Sequence, residues 1–351
     1  MLNDPIIGGQ PTVEGGTSHD DEATSTKPLY PSSTLPQICL QILINLFVLG
    51  LVQLFTWLGL GLNDPFFPYP VTILQVTGCI ASLIQIVVFI PSYLLKTEKF
   101  YDFTGSATYV TCILYSLCTG IYVKNGQADI RSVLSSVAVL IWCLRLGYFL
   151  FLRRHNANTV DERFTKFLPY FWRYAIVWNI QGLWVMLGCL PAFILNSTQN
   201  NAPFMATDAI GGVLFIGGLG LEALSDHQKK IFNQTHKGQW IDVGLWRYSR
   251  HPNYFFEWTL QLGLFFISVA ELGSSQFIAV LSPVFIACLL WFISGVPLLE
   301  KRGNAKWGGN PDYIKFRRSV SICVPCFRMN GAKQEQDMNC AQRVLVGEGL
   351  F

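Results

Sequence analysis

The chain has 351 residues, of which 51% are hydrophobic and only 13% charged, with a mean hydropathy of +0.37 and a formal net charge of +3. That charged fraction is about half the roughly 25% of a soluble domain, which argues against an ordinary soluble enzyme and for a membrane protein. A net charge this small gives no reason to expect a nucleic-acid partner.

Residues 1–35, rich in Gly, Ser, Thr, Pro and Asp, are expected to form a disordered tail. No charged segment leads into an early apolar core, so no cleaved signal peptide is evident. Eight apolar runs then follow at roughly 37–61, 70–95, 105–123, 132–152, 175–195, 207–225, 256–272 and 276–298. Each is long enough to cross a bilayer, which takes about 20 residues. Residues 36–326 thus form one membrane-embedded domain, an all-α polytopic bundle, because lipid leaves bare backbone groups unsatisfied. The stretch NDPFFPYP at 63–70 turns the chain between the first two runs, and 327–351 is a second polar tail.

Charge orients the bundle. With both termini on one side, that side receives 22 of the 25 Lys and Arg residues, and the opposite loops receive only Lys124 and Arg131. The positive-inside rule makes the rich side, and both termini, cytosolic; in a eukaryotic cell an endomembrane such as the endoplasmic reticulum is the expected home. The sequon at Asn196 then falls outside the cytosol and that at Asn233 inside it. Arg145 lies within the fourth run, eight residues before Arg153, about 12 Å along a helix. It either snorkels to the interface or turns inward to pair with Glu222, Glu257 or a cofactor phosphate. Seven of the ten cysteines sit in or beside apolar runs and read as small buried residues. Cys323 and Cys326 have C-x-x-C spacing without the second half that a zinc site needs, so no metal is expected.

Three polar groups gather on the expected cytosolic side. In GGLGLEALSDHQKKIF, Glu222, Asp226 and Lys230 recur every four residues, on one helical face. A fraying helix end accounts for Lys229 and Lys230, but not for Glu222 a turn inside the apolar zone. The glycines before it have no preceding strand and suit close helix packing. In LWRYSRHPNYFFEW, Pro252 suits the first turn of a new helix. The positive end of that helix would lie beside Arg247, Arg250 and His251, an anion site. Asn253 and Glu257 share its face, with Trp246, Tyr248 and Tyr254 as aromatic walls. A juxtamembrane aromatic belt explains the Arg and Trp residues, but not Asn253 with Glu257. The third group, after the last run, holds Glu300, Arg302, Trp307, Tyr313, Arg317 and Arg318; a basic tail on anionic lipid is its plainer reading. Together the three suit the rim of a pocket for a large anionic cofactor.

At these motifs the chain resembles the steroid 5α-reductase superfamily, and within it an uncharacterised multispanning branch. The carrying residues are Glu222 to Lys230, Leu245 to Trp258, and E-x-R…K-W-G…P-x-Y…P from Glu300 to Pro325. Arg145 to Leu150, Asp161 to Phe164 and Trp178 to Gly182 support them, and the resemblance covers about residues 70–325. It implies NADPH held from the cytosol and a lipid substrate entering from the bilayer. Glu222 and Asp226, with Lys229 and Lys230, would contact the adenosine or nicotinamide portions. Arg247, Arg250 and His251 would lie near the phosphates, and Asn253 and Glu257 near the ribose or carboxamide. Trp246, Tyr248, Tyr254, Arg302 and Trp307 would line the cofactor, with Tyr313 closing over it. The reaction implied is hydride transfer to an activated carbon–carbon double bond, with protonation at its other end. Tyr101 and Asp102 are candidates for the proton-transfer pair, although Asp102 also suits an ordinary helix start. Membrane methyltransferases of isoprenylcysteine, which use S-adenosylmethionine, share a similar R-H-P-x-Y core and are the rival enzyme reading. A lipid-binding protein without turnover is the rival outside enzymes. Nothing in the sequence fixes the oligomeric state.

Overall fold

A computed structural model of the chain describes residues 34–59, 61–67, 71–155, 164–199 and 202–326. Nearly all of both expected tails, and Asp161, Glu162 and Arg163 of the D-E-R-F stretch, lie outside the described residues. Among the described residues the protein is helical throughout, with no β-strand longer than an isolated bridge. The helices are α1 (Leu35–Leu58), α2 (Ile73–Leu94), α3 (Tyr101–Val123), α4 (Ile130–His155), α5 (Phe171–Gly188), α6 (Leu190–Asn196), α7 (Ala206–Thr235), α8 (Pro252–Ser268), α9 (Leu281–Ala287), α10 (Val296–Trp307) and α11 (Pro311–Ser319).

All eight apolar runs fold as helix, but they do not all meet the length and composition of a crossing. Six segments do: α1, α2, α3, α4, α7 and the continuous stretch Ser274–Trp307, with a seventh if the bent pair α5 and α6 is one span. These are the features of a multi-pass membrane protein. The bend is 60° and falls at Cys189. Pro191 explains it, since proline has no N–H and its ring clashes with the carbonyl four residues earlier. At 17 residues, α8 is at the short limit of a spanning helix. It begins at Pro252, as the sequence predicts. Leu43, Leu46 and Phe47 on α1, and Val213 and Ile216 on α7, are exposed, the pattern of a bundle whose outer surface meets lipid rather than water.

Glycines set the closest helix contact. A Cβ on Gly263 of α8 would stand 2.5 Å from Phe215 N and 2.6 Å from Gly211 O on α7. One on Gly218 would stand 2.7 Å from Leu260 N. The two backbones therefore touch at positions where only hydrogen fits. Of the glycines in GGLGLE, Gly218 makes this contact, whereas Gly217 and Gly220 face open space.

Arg131, at the start of α4, ties three elements together at the bundle end away from Arg145. Its Nε and Nη2 donate to the two Asp208 carboxylate oxygens at 2.7 and 2.8 Å. Nη1 donates to Glu271 and to the Ala202 carbonyl, and Nη2 also to the Pro203 carbonyl. One of the two basic residues on the poor side is thus buried and fully engaged. The Asn196 amide is buried too, donating to Ser116 at 2.9 Å and Ser136 at 3.1 Å.

Candidate functional site

The close α7–α8 pairing aligns two polar faces. Glu222 is 2% and Asp226 9% exposed, four residues apart on α7. Asn253 and Glu257 have the same spacing on α8, and Asn253 Nδ2 donates to Asp226 Oδ1 at 3.3 Å. Arg145 reaches inward from α4: Nη2 donates to Glu222 and Nη1 to Asp226, the latter at 3.2 Å. Of the two fates open to Arg145, the structure selects the inward one. Glu257, 7% exposed, lies within Coulombic reach of Glu222, Asp226 and Arg145. Three carboxylates therefore surround one guanidinium, and Glu222 Oε2, Arg145 Nε and Asn253 Oδ1 are buried without a hydrogen-bond partner.

A second set adjoins it across the first turn of α8. Arg250 Nη1 donates to Glu300 Oε2 at 2.5 Å, His251 Nε2 lies 2.9 Å from Glu300 Oε1, and Arg317 Nε lies 3.4 Å from Oε2. The anion beside this helix start is thus the chain's own Glu300, which the sequence places in the C-terminal group without indicating its partners. Arg250 Nε and Nη2 remain buried and unpartnered. Burial pushes the His251 imidazole below its ordinary value, against the pull of Glu300. In the neutral ring, Nε2 then donates to the carboxylate and Nδ1, which has no partner, is an acceptor. Residues 320–326 hold this turn in place. Arg250 N donates to Ser321 O at 2.9 Å, Ser249 Oγ to Cys323 O at 2.6 Å and Cys326 N to Tyr248 O at 3.1 Å.

The other predicted residues divide. Trp246 is buried, its indole N–H donating to Ser225 O at 3.0 Å, with Lys229 Nζ 4.5 Å above its ring. Tyr254 stacks on His251 at 5.8 Å. Tyr313 is buried beside Trp240 and Trp307, within Coulombic reach of Glu300, Arg250 and Arg317. Lys230, Arg247, Tyr248 and Arg302 are exposed, unlike the members of the two buried sets. The four-residue spacing fails for Lys230 because α7 runs past the bundle there, so the same face meets solvent. Tyr101 donates its hydroxyl to Val177 O at 3.2 Å and packs on Phe164 and Trp178. This is α3–α5 packing, and Asp102, next to it, is half-buried.

Two residues were not singled out from the sequence. Tyr109, two turns further along α3, lies within Coulombic reach of Glu257. Gln261, one turn beyond Glu257 on α8, is 1% exposed. Gln261 continues the Asn253–Glu257 spacing and was open to detection on that ground; Tyr109 carries no such signal. An open depression of about 350 Å³, bounded by Ser197, Thr198, Glu271 and Gln276 among others, lies towards the Arg131 end and contains none of these groups.

A family described as a protein of unknown function (DUF1295) matches residues 88–320, about two thirds of the chain. The chain belongs to the DUF1295 family. No curated protein and no solved structure matches it. The DUF1295 region starts inside α2 and ends at Val320. It therefore contains both buried polar sets whole, while α1 lies outside it.

Proposed function

We propose that this DUF1295 protein is a membrane reductase that uses NADPH to reduce a carbon–carbon double bond of a sterol-like or other lipid. The observation that carries the reading is the pair of adjoining buried sets, whose unpartnered atoms complement such a cofactor. Arg250 Nε and Nη2 are donors without an acceptor, suited to a phosphate oxygen. Glu222 Oε2 and His251 Nδ1 are acceptors without a donor, suited to ribose hydroxyls. Asn253 Oδ1 suits a carboxamide N–H. The resemblance to the steroid 5α-reductase superfamily at the same motifs supports the assignment.

When bound, NADPH would supply a hydride to the electron-poor carbon of the double bond. The chain's own part is to hold the charged groups on the polar rim, keep water from the apolar interior and deliver a proton to the other carbon. Tyr109 fits the last role better than Tyr101, because it lies within Coulombic reach of Glu257 and its hydroxyl makes only a 3.4 Å bond, to Trp184 O. The positive-inside rule supports a cytosolic setting for this rim and for both termini, with the lipid entering from the bilayer.

One observation favours a second reading. Three carboxylates around a single guanidinium leave a negative excess that suits a cationic ligand such as the sulfonium of S-adenosylmethionine. Ligand-induced stabilisation of the purified protein in detergent separates the two. NADPH at a hundredfold excess over its dissociation constant should add about 2.7 kcal/mol, well above the gain from NADH or S-adenosylmethionine at equal concentration. Arg250→Ala and Glu257→Ala should each remove the NADPH gain. A gain from S-adenosylmethionine alone would establish the methyltransferase class, and an unchanged NADPH gain in both variants would overturn the site.

A further inference from the structure

The polar group that follows the last apolar run divides in two. Glu300 and Arg317 turn inward, where Glu300 holds Arg250 and His251 and Arg317 lies 3.4 Å from it. Lys301, Arg302, Lys306, Lys315 and Arg318 are exposed instead. Over residues 301–318 six Lys and Arg residues accompany a single carboxylate, Asp312. Among the described residues, Lys301, Lys315 and Arg318 enter no ion pair. The short helix α11 sorts its side chains by face. Tyr313 and Phe316, with Val320 just beyond, are buried against Trp240 and Trp307. Ile314, Lys315 and Arg318 fall within about 100° of one another on the other side, and Ile314 is 37% exposed beside the two cations. Trp307 Nε1 donates to Gly238 O at 2.7 Å, which sets the backbone of exposed Lys237 next to α10.

Both ends of this segment are tied to places where the chain meets the membrane. The helix α10 continues the apolar stretch that begins at Ser274, and its first charges are Glu300, Lys301 and Arg302. From Lys301 to Trp307 it rises about 9 Å. After α11, Ser321 bridges to Ser249, three residues before α8 starts at Pro252. The exposed cations therefore stand within roughly 10 Å of the headgroups, about one Debye length at physiological salt. At that range an anionic leaflet attracts each Lys or Arg. We infer that the outer face of α10 and α11 is a docking surface for anionic phospholipid headgroups on the side where the last span emerges. The positive-inside rule fixes only the side that basic loops take. It does not sort cations onto one face of a nine-residue helix, leave them without carboxylate partners and set an exposed Ile beside them. Those three features together belong to a helix that lies at a charged membrane surface. The inference is independent of the coenzyme and of the lipid that is reduced.

The test titrates the full chain in detergent with phosphatidylserine and with phosphatidylcholine of the same acyl chains, and counts bound lipid by native mass spectrometry. One engaged cation is worth about fivefold near an anionic surface, so phosphatidylserine should bind at least about fivefold tighter at low salt, and less so at high salt. Lys306→Gln, Lys315→Gln and Arg318→Gln combined should remove most of that preference. Lys96→Gln, Lys99→Gln and Lys166→Gln combined take away three exposed cations assigned to the same membrane side, and should leave it intact. The melting temperature of each variant without lipid verifies folding, and the salt series on the unaltered chain is a reading that needs no variant. Glycerophosphoserine, the headgroup without acyl chains, should not compete at equal concentration. Equal binding of the two lipids, a preference that ignores salt, equal losses in the two triple variants, or full competition by the free headgroup would each overturn the inference.

Discussion

Arg145 shows what a single half-buried cation does in this bundle. It enters α4 among apolar residues, where a charge is tolerated only if paired or wet, and it donates to both α7 carboxylates at once. Removing it leaves Glu222, Asp226 and Glu257 facing one another without a counter-charge. Arg145→Ala is therefore expected to cost on the order of 3 kcal/mol, the scale for breaking a buried pair from one side. Adding Glu222→Gln should restore part of that loss, because an amide carries no charge to leave stranded. Thermal unfolding in detergent measures both variants. Arg145→Ala as stable as the parent would mean that the guanidinium is solvated rather than bridging. From the sequence, eight residues to Arg153 allow snorkelling or an inward turn equally well. Only the position of α7 decides between them.

At the scale of the element, the α7–α8 contact carries the site, since it brings Glu222 and Asp226 against Asn253 and Glu257. The glycines on it are not interchangeable. Gly263→Ala forces a methyl against Phe215 N and Gly211 O, backbone atoms that cannot rotate away. It should separate the helices and weaken whatever ligand the rim holds. Gly217→Ala and Gly220→Ala meet nothing within 4 Å. They should be neutral or stabilising by roughly 0.5–1 kcal/mol, the usual gain of alanine over glycine in a helix. Comparing melting temperatures across the three variants checks the contact, and equal losses at all three positions would contradict it. The sequence suggests that glycines here permit close packing, but assigning Gly218 and Gly263 to it requires the partner backbone. Similarly, proline chemistry accounts for the start of α8 at Pro252 and for the bend beside Pro191, although the run containing Pro191 reads as one span in the sequence.

For the whole molecule, the open quantity is orientation. On the charge bias Asn233 is expected in the cytosol, and its side chain is exposed on α7. Asn196 is expected on the other side, and it is occupied inside the bundle by Ser116 and Ser136. Expression in a eukaryotic secretory membrane is therefore expected to yield no glycan at either sequon. An engineered acceptor in the exposed Lys124–Gln127 turn, given enough spacer, should be modified. A glycan on Asn233 would invert the topology.

The sequence by itself determined the solvent, the helical class, the positions of the long apolar helices and the clustering of basic charge along the chain. These follow from hydropathy, proline and charge, which act within a few residues of one another along the chain. Tertiary structure decided which polar residues meet. Glu222 found Arg145 from 77 positions away, and Arg250 found Glu300 from 50, while Lys230 and Arg302 kept the same composition and faced outward. Pairing of this kind depends on which helix faces lie against each other in three dimensions, and local spacing does not encode that.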